Sequence, residues 1–309
     1  MKIVFLDRKT LGEDIDLEQF NQFGEVVIYQ STKTEDTLNR VQDADIIVTN
    51  KVIIDANIMD NSDIKLICVA ATGMNNIDLN HAKTKDIIVK NVAGYSTDSV
   101  AQLTFSFVLQ FIQNIAYYDN YVKSGDWAKS DIFTNLDKPF SELSAKTWGI
   151  IGLGNIGGSV AKIADAFGAN VQYYSTSGMN NNTTYNQKTL EELLKTSDII
   201  SIHCALNDDT LNLISKENIK SIKDGAIVLN LGRGGIVNEQ DITDAINDNQ
   251  DIYYATDVVT KEPIVENSPL MRIKNNERVL FTPHIAWASK EARVRLLNGI
   301  EQNIKEFMV

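Results

Sequence analysis

The sequence has few cysteines and few histidines. Only two cysteines, Cys68 and Cys204, occur in 309 residues, and each lies at the end of an apolar, strand-like run rather than in the spacing of a metal site. We therefore expect two buried thiols and no bound metal. The three histidines leave few candidates for an acid or a base, so each one can be weighed separately.

Positive charge is scarce as well, with 29 Lys and Arg against 41 Asp and Glu and a net charge of -12. This balance disfavours attraction to nucleic acid or to an anionic membrane, so a small molecule is the expected partner. The most apolar stretch, Leu103 to Ala116, is interrupted by Gln110, Gln113 and Asn114 and is too short to span a bilayer. The amino terminus enters a strand pattern with no apolar signal segment, which favours a cytoplasmic protein.

Short apolar runs rich in β-branched residues recur in two series, with segments of helical spacing between them. The runs are 2–6, 25–29, 45–49, 65–69 and 86–90, followed by 147–151, 170–174, 198–203, 226–230, 251–256 and 278–282. Strands that are apolar on both faces and alternate with helices are typical of parallel sheets covered on both sides. The sequence predicts an α/β protein with two doubly wound, Rossmann-like domains.

Two further segments have helical patterns. The segment from Val100 to about Lys123 is apolar nearly all round, which predicts burial on several faces, either between the two domains or against a second subunit in a homodimer. The segment from Ser289 to Met308 has apolar residues at spacings of four and is expected to pack back on the first domain.

A GxGxxG array directly follows the strand-like run 147–151. Gly152 suits a tight turn, Gly154 lets a pyrophosphate approach the backbone, and Gly157 lets the next helix pack on the strand. The helix would begin near Asn155 and Ile156 and would present free N–H groups to the phosphates. Because a strand precedes the array and an amphipathic helix and a second strand follow it, the segment predicts dinucleotide binding.

The choice between NAD and NADP stays open. The end of the second strand commonly carries an acidic residue for the ribose hydroxyls of NAD, whereas Ser175 and Thr176 stand there in this chain. No Arg or Lys that could attract a 2′-phosphate occurs between Ser175 and Asn186. The sequence therefore predicts NAD or NADP as cofactor without a stated preference.

Four side chains that can carry chemistry follow later strands of the second series. They are Arg233, Asp257, Glu262 and His284. In an open α/β sheet, residues beyond the carboxyl ends of the strands gather at one crevice, so all four can face a bound cofactor.

With these segments in place, the chain resembles the D-2-hydroxyacid dehydrogenase family over essentially its whole length. The segments AGYSTDSVAQ (93–102) and PHIAWAS (283–289) are most similar to its glycerate dehydrogenase and hydroxypyruvate reductase branch. The resemblance implies hydride transfer between NAD(P)H and a small 2-keto acid to give the D-2-hydroxy acid. It also implies a catalytic set in which Arg233 binds the substrate carboxylate and polarises the keto oxygen, His284 donates the proton, and Glu262 holds the imidazole.

The same resemblance implies further binding residues and a division into domains. Backbone N–H groups around Thr72 and Gly73 would hold the substrate carboxylate, and Asp257 would contact the nicotinamide carboxamide. Residues 1–97 and 285–309 would form a discontinuous substrate-binding domain, and residues 98–284 the dinucleotide-binding domain.

Several alternatives remain at this point. D-lactate and other aliphatic D-2-hydroxy acids are alternative substrates, and a nicotinamide-sensing, corepressor-like binding protein is the alternative from another class. Formate dehydrogenases have Gln where Glu262 stands, which argues against that branch. His81 is interpreted as a solvated surface residue and His203 as a structural one.

Overall fold

Two parallel β-sheets carry the fold, one in each of two units. The computed structural model describes all 309 residues. Unit 1 comprises Met1–Ser96 and Trp287–Val309, and unit 2 comprises Thr97–Ala286. The predicted fold class, α/β with two Rossmann-like domains, is confirmed.

The regular elements are numbered here in chain order. The strands are β1 (Lys2–Phe5), β2 (Glu25–Ile28), β3 (Ile46–Thr49), β4 (Leu66–Val69), β5 (Ile88–Lys90), β6 (Thr147–Ile151), β7 (Asn170–Tyr174), β8 (Asn186–Gln187), β9 (Ile199–Ile202), β10 (Ala226–Asn230), β11 (Ile252–Thr256) and β12 (Val279–Phe281). The α-helices are α1 (Thr34–Val41), α2 (Ala56–Asp60), α3 (Leu79–Thr84), α4 (Thr97–Gln113), α5 (Ile115–Lys123), α6 (Asn155–Ala166), α7 (Leu190–Thr196), α8 (Glu239–Asn247) and α9 (Lys290–Met308). Short 3-10 helices lie at Arg8–Leu11, Glu18–Phe23, Trp127–Lys129, Ile219–Ser221, Pro269–Arg272 and Asn276–Arg278.

Unit 1 is built on a five-stranded parallel sheet in the order β2-β1-β3-β4-β5. Helix α9 returns to this sheet and contacts β4. Its apolar residues at spacings of four are fully buried, namely Ala292, Leu296, Ile300 and Ile304. The predicted docking of the closing helix on the first unit is confirmed.

Unit 2 is built on a seven-stranded parallel sheet in the order β12-β11-β10-β9-β6-β7-β8. The chain starts this sheet at β6 and proceeds to one side through β7 and β8, then crosses back to β9 on the other side. The strand order therefore reverses between β6 and β9, and ligands of open α/β sheets bind outside the carboxyl ends of the strands at such a point.

The prediction of one helix from Val100 to about Lys123 is wrong, because the segment forms two helices, α4 and α5. Asn114 has a left-handed backbone with φ 51° and separates α4 from α5. Asn tolerates this conformation better than most residues with a Cβ, and an apolar pattern gives no sign of the break. Helix α4 packs on α6 and β10 of its own unit. No helix of the chain has the length and apolar character needed to cross a membrane.

Both cysteines are buried free thiols, as the sequence predicts. Burial raises the pKa of Cys68 to about 12 and the pKa of Cys204 to about 11. Thiols with pKa values this high stay protonated near neutral pH and are poor nucleophiles.

Candidate active site

The glycine array forms the turn between β6 and α6 in unit 2. Gly152 has φ 90°, a conformation that L side chains rarely adopt, and a Cβ there would lie 2.8 Å from the backbone nitrogen of Cys204. A Cβ at Gly157 would overlap the carbonyl oxygen of Gly152, so the helix can approach the strand only with glycine at this position. These two glycines match the roles that the sequence predicts for them.

The amino end of α6 has the features of a pyrophosphate site. A Cβ at Gly154 would meet no atom within 4 Å, so the backbone there is open to a ligand. Gly154 caps a helix of 12 residues that begins with Asn155 and Ile156, whose N–H groups have no carbonyl partner within the first turn. Free N–H groups at the positive end of a helix dipole bind anions, so these residues fit the pyrophosphate of a dinucleotide.

The segment after β7 folds over the place where an acidic residue is commonly found. Ser175 is only 7% exposed, and its Oγ accepts a 3.4 Å hydrogen bond from the backbone N–H of Asn180. The Asn180 side chain in turn donates a 2.8 Å hydrogen bond to the carbonyl oxygen of Leu153 in the glycine turn. Thr176 is half-buried. Since no charged side chain occurs between Ser175 and Tyr185, the segment neither repels nor pairs with a 2′-phosphate.

Arg233 lies on the turn that follows β10, and this turn is fixed by the last residue of the strand. The Asn230 side chain is buried, accepts a 3.1 Å hydrogen bond from the N–H of Gly232 and donates a 2.9 Å hydrogen bond to the carbonyl oxygen of Arg233. A Cβ at Gly234 would overlap the backbone of Val259. Glycine at 234 therefore lets the Arg233 turn pack against the loop that leads to Glu262, while the Arg233 side chain remains exposed.

His284 and Glu262 form a hydrogen-bonded pair at the ends of neighbouring strands. The loop after β11 carries Glu262, the turn after β12 carries His284, and these two strands are adjacent in the sheet. The distance from His284 Nδ1 to Glu262 Oε2 is 2.7 Å, and both side chains are partly exposed. Because Nδ1 is bound to the carboxylate, Nε2 is the ring nitrogen that remains to exchange a proton with a substrate.

Asp257 is the most deeply buried of the predicted site residues with an ionisable side chain, with 2% of its surface exposed. Its carboxylate accepts hydrogen bonds from the Thr282 hydroxyl at 2.6 Å and from the N–H groups of Ile285 and Ala286, each at 2.8 Å. Burial raises the pKa of the Asp257 carboxyl above its usual range, and these hydrogen bonds oppose the rise. The carboxylate therefore contacts the turn that carries His284.

The other two histidines have different surroundings. His81 is bound through Nε2 to Asp60 at 3.0 Å and is half-buried, so it is a paired surface residue in unit 1 rather than a fully solvated one. Both ring nitrogens of His203 are buried without a hydrogen-bond partner. Burial lowers the pKa of His203 to about 3, so this imidazole is neutral at physiological pH.

Thr72 and Gly73 follow β4 in unit 1. The loop is tied to the segment after β5, because Asn91 donates to the carbonyl oxygen of Thr72 at 2.6 Å and Val92 donates to that of Ala71 at 3.2 Å. No backbone hydrogen bond engages the N–H groups of Thr72 and Gly73. Two neighbouring N–H groups in this state can donate to a carboxylate.

Sequence reasoning missed two residues that hold this arrangement, Asn230 and Thr282. Each is the polar residue that closes an otherwise apolar run, in AIVLN and in VLFT. A buried polar side chain at the end of a strand needs a partner, and the next turn of the chain supplies one. That pattern could have identified both residues.

Within unit 2 the arrangement provides the groups that reduction of a carbonyl requires. A partly exposed imidazole with a fixed tautomer can donate a proton, an exposed guanidinium can bind an anion and polarise an oxygen, and an open helix terminus can hold pyrophosphate.

Comparison with known proteins agrees with this chemistry. Residues 105–286 match the family model for the NAD binding domain of D-isomer specific 2-hydroxyacid dehydrogenases. The chain is 38% identical to a hydroxypyruvate reductase of Blautia hydrogenotrophica, over 100% of this chain and 97% of that protein. It is 36% identical to a glycerate dehydrogenase of Methylorubrum extorquens, over 99% of this chain and 96% of that protein.

A solved structure with the same fold is that of an acyclic imino acid reductase in complex with NADPH and D-Arg. It superposes with a TM-score of 0.85 and 27% sequence identity, covering 100% of this chain and 97% of the other. The matched domain and the full-length relatives leave one assignment. The chain belongs to the D-isomer specific 2-hydroxyacid dehydrogenase family and is a nicotinamide-dependent oxidoreductase that acts on the CH–OH group of its donors.

Proposed function

We propose that this enzyme reduces hydroxypyruvate and glyoxylate to the corresponding 2-hydroxy acids, giving the D-isomer in the case of glycerate. The observation that carries the proposal is the 2.7 Å pair of His284 and Glu262, with the exposed Arg233 on a braced turn of the same sheet edge. D-lactate and other aliphatic D-2-hydroxy acids are the alternative products.

The three residues divide the work on the keto acid. Bound NADH or NADPH supplies the hydride. Arg233 binds the substrate carboxylate through its planar set of donors and polarises the keto oxygen. His284 gives a proton from Nε2 to that oxygen, and takes it back in the oxidation of the hydroxy acid. Glu262 keeps the imidazole oriented through its hydrogen bond to Nδ1.

The choice of substrate rests on the relatives. Proteins that align with this chain end to end at 36–38% identity are named a hydroxypyruvate reductase and a glycerate dehydrogenase. More distant relatives include glyoxylate reductases, at 31–32% identity. These three names describe reactions of 2-keto or 2-hydroxy acids with two or three carbon atoms.

The remaining site residues complete the proposal. Unit 2 binds the cofactor through Gly152, Gly154, Asn155, Ile156 and Gly157, with Ser175 and Thr176 on the ribose side and Asp257 toward the nicotinamide. Unit 1 binds substrate, with the free N–H groups of Thr72 and Gly73 as donors to its carboxylate. Both free thiols are consistent with a cytoplasmic enzyme, since that compartment keeps cysteines reduced.

The experiment that tests the proposed function is an assay of cofactor oxidation with hydroxypyruvate, glyoxylate, pyruvate and 2-ketoisocaproate. We expect the highest kcat/KM for hydroxypyruvate or glyoxylate, and measurable turnover with both NADH and NADPH because no charged residue between Ser175 and Tyr185 selects between them. In the reverse direction D-glycerate should be oxidised and L-glycerate should not. Tight cofactor binding without turnover of any keto acid would point to a sensor instead of an enzyme.

We also propose that the enzyme is a homodimer, on the basis of an apolar surface in unit 2 that we call the arm. The arm comprises exposed apolar residues of α5 and of the loop before β6, namely Ile115, Val122, Trp127, Ile132, Phe133, Leu136 and Phe140. Phe133 is 89% and Leu136 is 70% exposed. Large exposed apolar side chains concentrated in one segment of the chain favour an interface between protein chains.

Replacing both Phe133 and Leu136 with aspartate should convert the dimer to a monomer, because each carboxylate would have to be desolvated in the interface. Analytical ultracentrifugation of wild type should give the mass of two chains, and the variant the mass of one. Met271→Asp, at an exposed apolar residue outside the arm, is the matched control and should remain dimeric. If wild type sediments as a single chain at micromolar concentration, the proposed homodimer is wrong.

A further inference from the structure

The backbone of His284 lies in a region that residues with a bulky side chain rarely occupy. Its φ is 55°, on a turn between β12 and α9 that contains no glycine. A left-handed backbone is uncommon at any residue other than glycine, and hydrogen bonds from the surrounding structure stabilise it. The contacts that fix this turn therefore decide where the imidazole is held.

Those contacts converge on Asp257. Its carbonyl oxygen accepts from the N–H of His284 at 2.8 Å, and its carboxylate accepts from the N–H groups of Ile285 and Ala286. The carboxylate also accepts from the Thr282 hydroxyl. From Thr282 to Ala286 every residue except Pro283, which has no N–H, thus donates a hydrogen bond to Asp257.

Thr282 has a particular place among these donors, because it supplies the only side-chain hydrogen bond that the Asp257 carboxylate is seen to accept. Its hydroxyl and the N–H of Ile285 share Oδ1, at 2.6 and 2.8 Å, whereas the N–H of Ala286 reaches Oδ2. Since Asp257 is 2% exposed, water cannot readily replace a lost donor.

We propose that Thr282 is a positioning residue, which orients the His284 imidazole by holding the Asp257 carboxylate against the His284 turn. The proposal rests on the proposed role of His284 in proton transfer. It gives Asp257 a task within the protein in addition to the nicotinamide contact that the family resemblance implies.

The two tasks of Asp257 have different kinetic consequences. A contact with the nicotinamide contributes to cofactor affinity, so its loss raises the KM for NADH. The hydrogen bonds of Asp257 to the His284 turn contribute to proton transfer, so their loss lowers kcat and leaves the KM for NADH unchanged. A substitution of Thr282 tests the second task separately. The Thr282 hydroxyl donates to the Asp257 carboxylate and is assigned no contact with the nicotinamide.

The test is Thr282→Val, which removes the hydroxyl and keeps the shape of the side chain. We expect kcat for hydroxypyruvate to fall roughly 10- to 100-fold, since small displacements of a catalytic group have effects of this order. The KM for NADH should stay within about twofold, and Thr282→Ser should restore kcat because it keeps the donor. An unchanged kcat, or a rise in the KM for NADH with kcat preserved, would overturn the proposal.

A matched control and a double variant separate positioning from general damage. Thr243 in α8 is buried, whereas Thr282 is half-buried, and the Thr243 hydroxyl has no hydrogen-bond partner, so Thr243→Val should leave kcat within about twofold. In a His284→Ala background, Thr282→Val should cause no further loss of the residual rate. An equal loss with and without His284 would show that Thr282 acts through something else.

A readout without turnover keeps this test separate from that of the proposed function. The chain has three histidines, so the ring C–H resonances in an NMR spectrum can be assigned with single His→Ala variants. Thr282→Val should shift the His284 resonance and leave that of His81 in place, and Thr282→Ser should restore it. If wild type reduces no keto acid, the proposed function fails, while an unmoved His284 resonance in Thr282→Val would refute the positioning role on its own.

Discussion

Replacing His284 with alanine is expected to lower kcat for hydroxypyruvate reduction by roughly 10² to 10⁴, the usual contribution of a positioned general acid. The imidazole is already oriented in the protein, with Nδ1 2.7 Å from Glu262 Oε2, which leaves Nε2 as the nitrogen that can donate to the keto oxygen. Alanine removes the proton donor and leaves no group of the turn to replace it. Steady-state kinetics at saturating NADH measure the change.

One further measurement and two control variants accompany this variant. Cofactor affinity, measured by fluorescence titration with NADH, should stay near that of wild type, because the glycine turn and the start of α6 lie elsewhere on the sheet edge. His81→Ala removes a paired surface imidazole from unit 1 and should leave kcat within about twofold. His284→Asn keeps a side chain that tolerates a left-handed backbone, so a loss of kcat in this variant too would not be due to the turn. Unchanged turnover in both His284 variants would remove His284 from the mechanism.

The fold was accessible from the sequence because its strands are short and apolar on both faces. All eleven predicted runs form strands, and their alternation with helices was enough to predict two parallel sheets. Strand β8 was missed because it consists of two polar residues, Asn186 and Gln187, at the edge of the sheet. A strand of that length is defined by its partner β7 and has no periodicity of its own.

The break between α4 and α5 was missed for a different reason. Periodicity reports which side chains are buried, and apolar residues recur on both sides of Asn114, so the polar residues there do not by themselves mark the end of a helix. A single left-handed residue changes the direction of the chain while leaving the composition of both helices unchanged. Its effect is to place α5 outside the core, where none of its residues is buried.

The pairing of His284 with Glu262 could be expected, whereas the bonds that hold the pair in place could not. Each of the two residues follows its own strand, and adjacent parallel strands bring their following loops together. The brace on Asp257 depends instead on the dihedral angles of the turn from Thr282 to Ala286, which no spacing of residues reveals. Asp257 directly follows the apolar run 251–256, a position that is equally compatible with a ligand contact, which is how the family resemblance interprets it.

Replacing Arg233 with glutamine is expected to lower kcat/KM for hydroxypyruvate by roughly 10² to 10³, the range found when a single donor to a developing oxyanion is removed. The decrease in kcat/KM should exceed the decrease in kcat alone. The proposal has the guanidinium bind the carboxylate of the bound substrate and also stabilise the keto oxygen in the transition state. Arg233→Lys should be intermediate, since an ammonium keeps the charge but cannot form two parallel hydrogen bonds. Initial rates over a range of hydroxypyruvate concentrations separate KM from kcat.

The effect of Arg233→Gln can be attributed to the site only if the turn keeps its shape. The guanidinium donates a 3.0 Å hydrogen bond to the carbonyl oxygen of Gly232, which Arg233→Gln removes. The two hydrogen bonds of the Asn230 side chain to the backbone of Gly232 and Arg233 remain, so the turn should survive the substitution. Arg278→Gln is the matched control: Arg278 directly precedes β12, at the opposite end of the sheet from Arg233, and is paired with the partly exposed Asp251. That variant should keep kcat/KM within about twofold, because a partly exposed ion pair contributes little to the fold. Equal losses in the two variants, or an Arg233→Gln enzyme with the kcat/KM of wild type, would mean that another residue binds the substrate carboxylate.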